Sequence, residues 1–384
     1  MSEELTLYAT LVAVYLVECL VWVPRGAVAF VARAAGRARL AFPSRTFSTP
    51  RGGVVVGRLL PGTLSAFVVP QWPLSMDDRG VLGWVAECLA GDERALHTGA
   101  YRRWEDMPRI EADLRKVVVD GETLATLPSA RFATHVAATL REVRALPEAQ
   151  RRARLEAIRR RLFDVAGVQR RIAELETASA SLRVASVCVA AIVFGGLPLL
   201  TARFGLERAW PLALAAVYIP SWVVTVLFVR AHRRISPHAR LERWGNAALC
   251  ALLPLSAVRA ADALARTLLH GFHPLAVGVA VLDRPELERF VAALLRDARH
   301  PRHPVCPGDA AEATQVEAAH RAAMLGLIED AARSAGVDPA AVLRAPEREE
   351  GSSGFCPRCL AQYEAAGVRC EDCGGVPLAP FPAG

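Results

Sequence analysis

Lysine is almost missing from this chain of 384 residues: Lys116 is the only one, against 45 arginines. So one-sided a choice of cation, beside abundant alanine and valine, follows GC-rich coding. The pI of about 9.1 is therefore no signature of nucleic-acid binding. Catalytic signatures are missing too. No P-loop, GxGxxG, HExxH or GxSxG occurs, which removes the sequence basis for the nucleotide, dinucleotide, zincin and α/β-hydrolase chemistries those motifs support. Cysteine is scattered: of nine, only the last four are clustered, unlike a secreted disulfide scaffold. Charge is sparse, at 22% of residues against 53% hydrophobic, and mean hydropathy is +0.25. That balance points to membrane segments, and the length allows two or three folded units.

Three apolar runs answer to that description. Residues 5–23 form a run of 19 broken only by Glu18, long enough at about 1.5 Å per residue to cross about 30 Å of hydrocarbon. Ala27-Val28-Ala29 mimics a signal-peptide cleavage site, but Glu3 and Glu4 make the preceding segment acidic, so the run reads as an anchor. Glu18, one turn from Trp22, reads as a structural carboxylate near the cytoplasmic end. Residues 182–200 and 210–229 form a hairpin around a turn with Arg203, Glu207 and Arg208, flanked by Trp210, Tyr218 and Trp222. Residues 24–45 carry five arginines and no acid, and residues 230–260 carry six against Glu242. The positive-inside bias then puts the N-terminus outside and the bulk and C-terminus in the cytoplasm, at a bacterial inner membrane.

The first soluble part, 46–146, reads as an α+β domain. Strands are expected at 54–60 and 64–69, and a hairpin at 116–127 turns on Asp120-Gly121. A helix is expected at 77–89, and another follows the N-cap Ser129. Residues 147–181 form a basic amphipathic helix, helical from Glu148 to about Ser179, which reads first as a solvated stalk or short coiled coil and whose arginines also suit anionic lipid. A mostly helical second cytoplasmic region, 230–344, includes an apolar segment 247–258 too short to cross a bilayer, a buried strand at 275–282 and a helix capped by Asp283. Residues 345–354 read as a flexible linker.

Cys356-Pro-Arg-Cys359 and Cys370-Glu-Asp-Cys373 are two CxxC pairs ten residues apart. Each pair makes a tight knuckle that offers two sulfurs to one ion, and four thiolates close a tetrahedron around structural Zn2+. Over residues 355–380 the chain resembles the bacterial zinc-ribbon family, in which two such knuckles tie a short β-structured module. Gly374-Gly375 supplies the backbone expected after the second knuckle, whereas Leu360 replaces the glycine often found after the first. Residues 345–373 hold three arginines against six acids, the wrong balance for phosphate binding, so nucleic acid is not expected as a partner.

An alternative site is His300, His303 and Cys306, with His270, His273 and His320 in the same region; the intervening prolines make its loop extended. Cys88 and His97 form a weaker pair. The sequence thus predicts an α+β membrane protein: three transmembrane helices, a cytoplasmic α+β domain, a mostly helical second region and a C-terminal zinc ribbon. Its expected function is non-enzymatic, with the ribbon docking or regulating a protein partner. The alternative is a membrane-bound enzyme that uses the histidines and cysteine of 270–320.

Overall fold

The computed structural model describes residues 3–23, 27–32, 38–40, 53–56, 60–64, 66–84, 96–127, 129–237, 239–300, 304–305, 310–365 and 367–382. Helix α1 (Glu3–Glu18) ends well inside the expected 5–23 span. Cys19 turns the chain, and the β-branched and aromatic run Leu20–Val23 becomes strand β1, antiparallel to β4 (Gly53–Val56). Tertiary pairing with a valine strand thus overrides the apolar run. Strands β2 (Ala27–Ala32), β3 (Ala38–Leu40) and β5 (Ala66–Pro70) form a second antiparallel sheet in the order β3-β2-β5.

Strands β6 (Leu74–Met76), β7 (Gly80–Trp84) and β8 (Leu96–Arg103) continue the chain. The helix expected at 77–89 is therefore a turn and a strand; residues 85–89 lie outside the described residues. Gly83 shows why: a Cβ there would stand 1.9 Å from the Leu124 carbonyl oxygen, so only glycine lets these two strands cross so closely. Strands β9 (Ile110–Asp113), β10 (Lys116–Val119) and β11 (Glu122–Thr126) make a meander. Asp120 and Gly121, at φ 51° and 88°, form the expected two-residue hairpin turn. Helix α2 (Ala130–Arg144) starts where Ser129 Oγ accepts from the Phe132 amide, and it buries Phe132, Val136, Leu140 and Val143 on this sheet.

The long basic helix is interrupted. Helix α3 (Glu148–Leu162) stops, and Asp164 caps α4 (Val165–Ala191) by accepting from Gly167 N at 2.8 Å. Leu155, Ile158 and Leu162 keep helical spacing up to the break, which hides the cap. After α4 comes a π-helical segment, Ile192–Gly196, in which Leu197 N bonds Ile192 O. That shift of register precedes Pro198, which has no amide to donate. Helix α5 (Leu197–Phe204) and, after Gly205, helix α6 (Leu206–Ile235) complete a hairpin.

Each helix of the hairpin buries a heptad-spaced seam. On α4 Val168, Ile172, Leu175, Ser179, Leu182, Ser186, Val189 and, beyond it, Val193 follow one another in alternating steps of four and three residues. On α6 Val217, Ser221, Val224, Phe228, Ala231 and Ile235 do the same, the spacing that keeps one stripe of a helix turned to a single side. Segments Val165–Phe204 and Glu207–Ile235 are both long and apolar enough to cross a membrane. Only 22% and 28% of their most apolar stretches are buried within the protein, so neither is an ordinary core helix.

Helices α7 (Arg240–Leu252), α8 (Pro254–Val258) and α9 (Ala260–Arg266) run back along the hairpin. Tyr218 Oη donates to Leu252 O at 3.3 Å and Ser186 Oγ to Ala257 O at 2.9 Å, fixing their level. Asp262, fully buried, accepts from Ala66 N at 3.2 Å and pairs with Arg259, which ties β5 to α9. Helix α10 (Pro274–Val281) replaces the strand expected at 275–282. A short continuous apolar run has no diagnostic period, and here His273 caps it, its side chain accepting from Leu275 N at 3.1 Å. Gly278 brings α10 onto Phe290 of α11 (Arg284–Arg299), which Asp283 caps as expected.

Strand β12 (Pro304–Val305) adds in parallel to β8, giving the order β12-β8-β7-β6. Helix α12 (Ala310–Ser334) lies on β6 and β7, burying Ala313 and Val316 against Leu82. The helical region and the first α+β region therefore share packing. A short helix, α13 (Pro339–Val342), leads into the C-terminal module.

Candidate metal centre

Five two-residue strands shape this module: β13 (Gly354–Phe355), β14 (Gln362–Tyr363), β15 (Arg369–Cys370), β16 (Val376–Pro377) and β17 (Ala379–Pro380). They pair as β14-β13-β17 and β15-β16. The buried cluster at its centre consists of Cys356, Cys370, Cys373 and Val376, with Cys359, Tyr363 and Leu378 half-covered around it. So small a cluster holds little of the apolar area that stabilises a larger domain.

Each CxxC pair forms a knuckle. In the first, Leu360 N bonds Cys356 O and Cys356 N bonds Ala361 O, both at 2.8 Å. Leu360, which follows the first knuckle, adopts φ 65°, a left-handed conformation costing a non-glycine residue about 1–2 kcal/mol. In the second, a 3₁₀ turn spans Glu371–Cys373, and Gly375 N bonds Cys370 O at 2.9 Å with Gly374 and Gly375 at positive φ.

The four sulfurs lie within 4.8 Å of one another, and Cys359 Sγ stands 3.7 Å from Cys370 Sγ. Thiolates about 2.3 Å from a tetrahedral zinc stand about 3.8 Å apart, so this cradle has the size of a zinc site. Without a cation the four thiols cannot ionise together. Hydrogen bonds from the Cys359 and Cys373 thiols hold Cys356 down at about 3, while hydrogen bonds with Cys356 and Cys359 push Cys373 far up. A divalent ion resolves that conflict by taking all four as thiolates. Tyr363 Oη donates to Cys370 Sγ at 3.1 Å, a contact that itself raises the phenol's pKa. Four protein ligands leave no open position, so the chemistry such a site offers is structural.

Sequence reasoning missed what surrounds the cluster. Arg358, inside the first knuckle and almost fully buried, pairs with Asp297 on α11. The linker at 345–354 is strapped down: Gln362 Nε2 donates to Glu347 O at 2.7 Å, Glu349 N donates to Gln362 Oε1 at 2.9 Å, and Arg348 lies 5.7 Å over the Phe381 ring. Polar composition suggested flexibility, and nothing in the local sequence reveals that Gln362 supplies both anchors.

The alternative histidine and cysteine site is not assembled among the described residues. His300 closes α11, half-buried, its pKa lowered by burial and then by Arg299 and Arg358. His303, Cys306 and Cys88 lie outside the described residues. His270 meets Ser129 Oγ at 2.9 Å, and burial, then Arg131, lowers it to about 4. His273 stacks on Phe163 at 4.4 Å, and burial lowers it to about 3. His320, its Nδ1 sealed from solvent, is lowered to about 3 by burial and then by Arg159. Each imidazole has a separate structural setting. Glu18 accepts from Ser256 Oγ at 3.4 Å.

No family model matches the chain, and neither a curated protein nor a solved structure matches it. The four gathered cysteines are compatible with a zinc-ribbon-like site, and that likeness rests on their geometry alone.

Proposed function

We propose that this chain is a non-enzymatic membrane protein whose hairpin anchors a cytoplasmic body carrying a zinc-held ribbon that docks or regulates a protein partner. The observation that carries the reading is the outer face of the hairpin. With the heptad seam buried, Trp210, Leu212, Leu214, Ile219, Trp222, Val223 and Val226 of α6 face outward and exposed. Patches of that size on a soluble surface mark a buried interface or a bilayer. On α1, Leu5, Leu7, Val14, Leu16 and Val17 extend the surface, and on α7 Leu241, Trp244, Leu249 and Leu252 do the same.

Depth supports the same reading. The two hairpin segments rise about 60 Å and 44 Å at 1.5 Å per residue, so each crosses about 30 Å of hydrocarbon and still reaches into the body. At 16 residues α1 rises about 24 Å, short of a full span. It packs beside α5 and α8, its last residue Glu18 accepting from Ser256 of α8, which suits a third membrane element with its N-terminus outside. Arg230, Arg233 and Arg234 close the inner end of α6, as the positive-inside rule asks of a cytoplasmic end at a bacterial inner membrane. Those arginines and the Arg-rich flank at 24–45 would meet anionic lipid. On the ribbon, Glu364, Glu371 and Asp372 are exposed, so the protein partner it suits is basic and nucleic acid is disfavoured.

The test is alkaline carbonate extraction followed by labelling of single cysteines placed at Gly205 and beyond Pro380 in sealed cells. The reading expects retention in the membrane, with the hairpin turn labelled from outside and the C-terminus protected. Release by carbonate, or the opposite labelling, contradicts it.

A further inference from the structure

A second cluster of cations has no part in the reading above. Between α2, α4 and the turn at 268–272 lies a cavity of about 240 Å³, lined by Arg131, His135, Arg171, His270 and the rings of Phe132 and Phe272. Arg131 stands in the first turn of α2, where the helix dipole is positive and no acid occurs. Its guanidinium donates to Ser236 Oγ at the end of α6, and among the described residues no carboxylate pairs with it. Burial and the neighbouring charge of Arg171 both work against its protonated form, while Glu242 works for it. Of the nearby acids, Glu174 meets the cavity's own Arg171 only at a long 3.4 Å, and Glu242 accepts from Thr267 at 3.1 Å. Two guanidinium groups thus share one cavity at a helix N-terminus, a concentration of positive charge that a bound anion would relieve.

We infer that this cavity is a binding site for a phosphate group. Two forked guanidinium groups offer more donors than a carboxylate can accept, and they match the oxygens of a phosphate. The volume falls below the 300 Å³ or so at which pockets for whole small molecules begin, which fits an ionic head rather than a larger metabolite. Phosphate has two sources here, a lipid headgroup or a soluble ion. Ser236 follows the last turn of α6 and its arginines, so a headgroup would reach the cavity if the hairpin spans the bilayer; the cavity itself does not depend on that reading.

The experiment uses the full chain in two settings. In detergent, inorganic phosphate is titrated against chloride at matched ionic strength; in phosphatidylcholine nanodiscs, phosphatidic acid is added. Hydrogen exchange at 129–136 and 268–272 is read in both. Protection by inorganic phosphate identifies a soluble source, and protection by phosphatidic acid alone identifies a lipid source; each supports the site. Arg171→Gln, on a half-exposed side chain whose loss leaves the core intact, should weaken the effect about tenfold or more. Glu174→Gln, which releases Arg171, should strengthen it. Protection that follows ionic strength alone, that survives Arg171→Gln unchanged, or that weakens in Glu174→Gln would overturn the proposal.

Discussion

Along α6, Leu212, Ile219, Trp222 and Val226 are each more than half exposed, whereas the buried apolar cluster at the centre of the ribbon consists, among the described residues, of three cysteines and Val376. The hairpin has more apolar surface than its own chain covers, and the ribbon has less than a fold requires. Each departs from a water-soluble module in the opposite direction, and under the proposed function each would be completed by something other than polypeptide: lipid for the one, a metal ion for the other. Between them, the body is closed by ordinary packing, with Trp104, Met107 and Leu140 fully buried in one core and Leu275, Phe290 and Leu269 in another.

The sharpest way to break this contrast is to remove the ion. Zinc contributes about 10–16 kcal/mol to such small folds, far more than Val376 and its neighbours supply. Chelation, or Cys370→Ser with Cys373→Ser, is expected to abolish hydrogen-exchange protection after residue 355 and leave the hairpin protected. Ribbon protection that survives chelation would show that its polypeptide suffices.

Acid is expected to separate the body from the hairpin. Burial lowers His270, His273 and His320 to about 4, 3 and 3, below the ordinary 6.5 of the unfolded chain. The unfolded chain therefore binds more protons as pH falls. Their contribution is full above about pH 6.5 and is lost toward the folded values, at about 2 kcal/mol each between pH 7 and pH 5. Melting of the body followed by hydrogen exchange should drop markedly over that interval, while α6 above His232, which holds no histidine, keeps its protection. Equal loss in both regions would merge them into one cooperative unit.

A smaller effect sharpens the boundary between ribbon and body. Arg358→Gln removes the pair with Asp297, which is only partly buried, and should cost about 1.5–3 kcal/mol. Limited proteolysis should then cut within 345–354 while zinc remains bound at one per chain. Loss of zinc with the substitution would mean that the ribbon depends on α11 for its fold.

The parts of this structure legible in the sequence are those whose cause is local. The CxxC spacing, the Asp120-Gly121 turn, the caps at Ser129 and Asp283 and the two apolar helices each carry their reason within a few residues. What stayed hidden depends on distant partners. Gly83 needs Leu124 to explain its strand, Gly278 needs Phe290 to explain its helix, and Leu20–Val23 needs Gly53–Val56 to become β1. Asp164 breaks a helix whose apolar spacing runs on to the break. The cavity at Arg131 and Arg171 joins residues far apart in the chain, and no local pattern announces it.

The central claim is that the outward face of α6 meets lipid, and collision accessibility of spin labels in the reconstituted full chain tests it most directly. Labels placed one at a time at Ile219, Val223 and Val226 should be open to oxygen and closed to a water-soluble nickel chelate, while labels at Val217, Val224 and Phe228, in the heptad seam, should be closed to both. High nickel accessibility at 219, 223 and 226 would place that face in water and contradict the account.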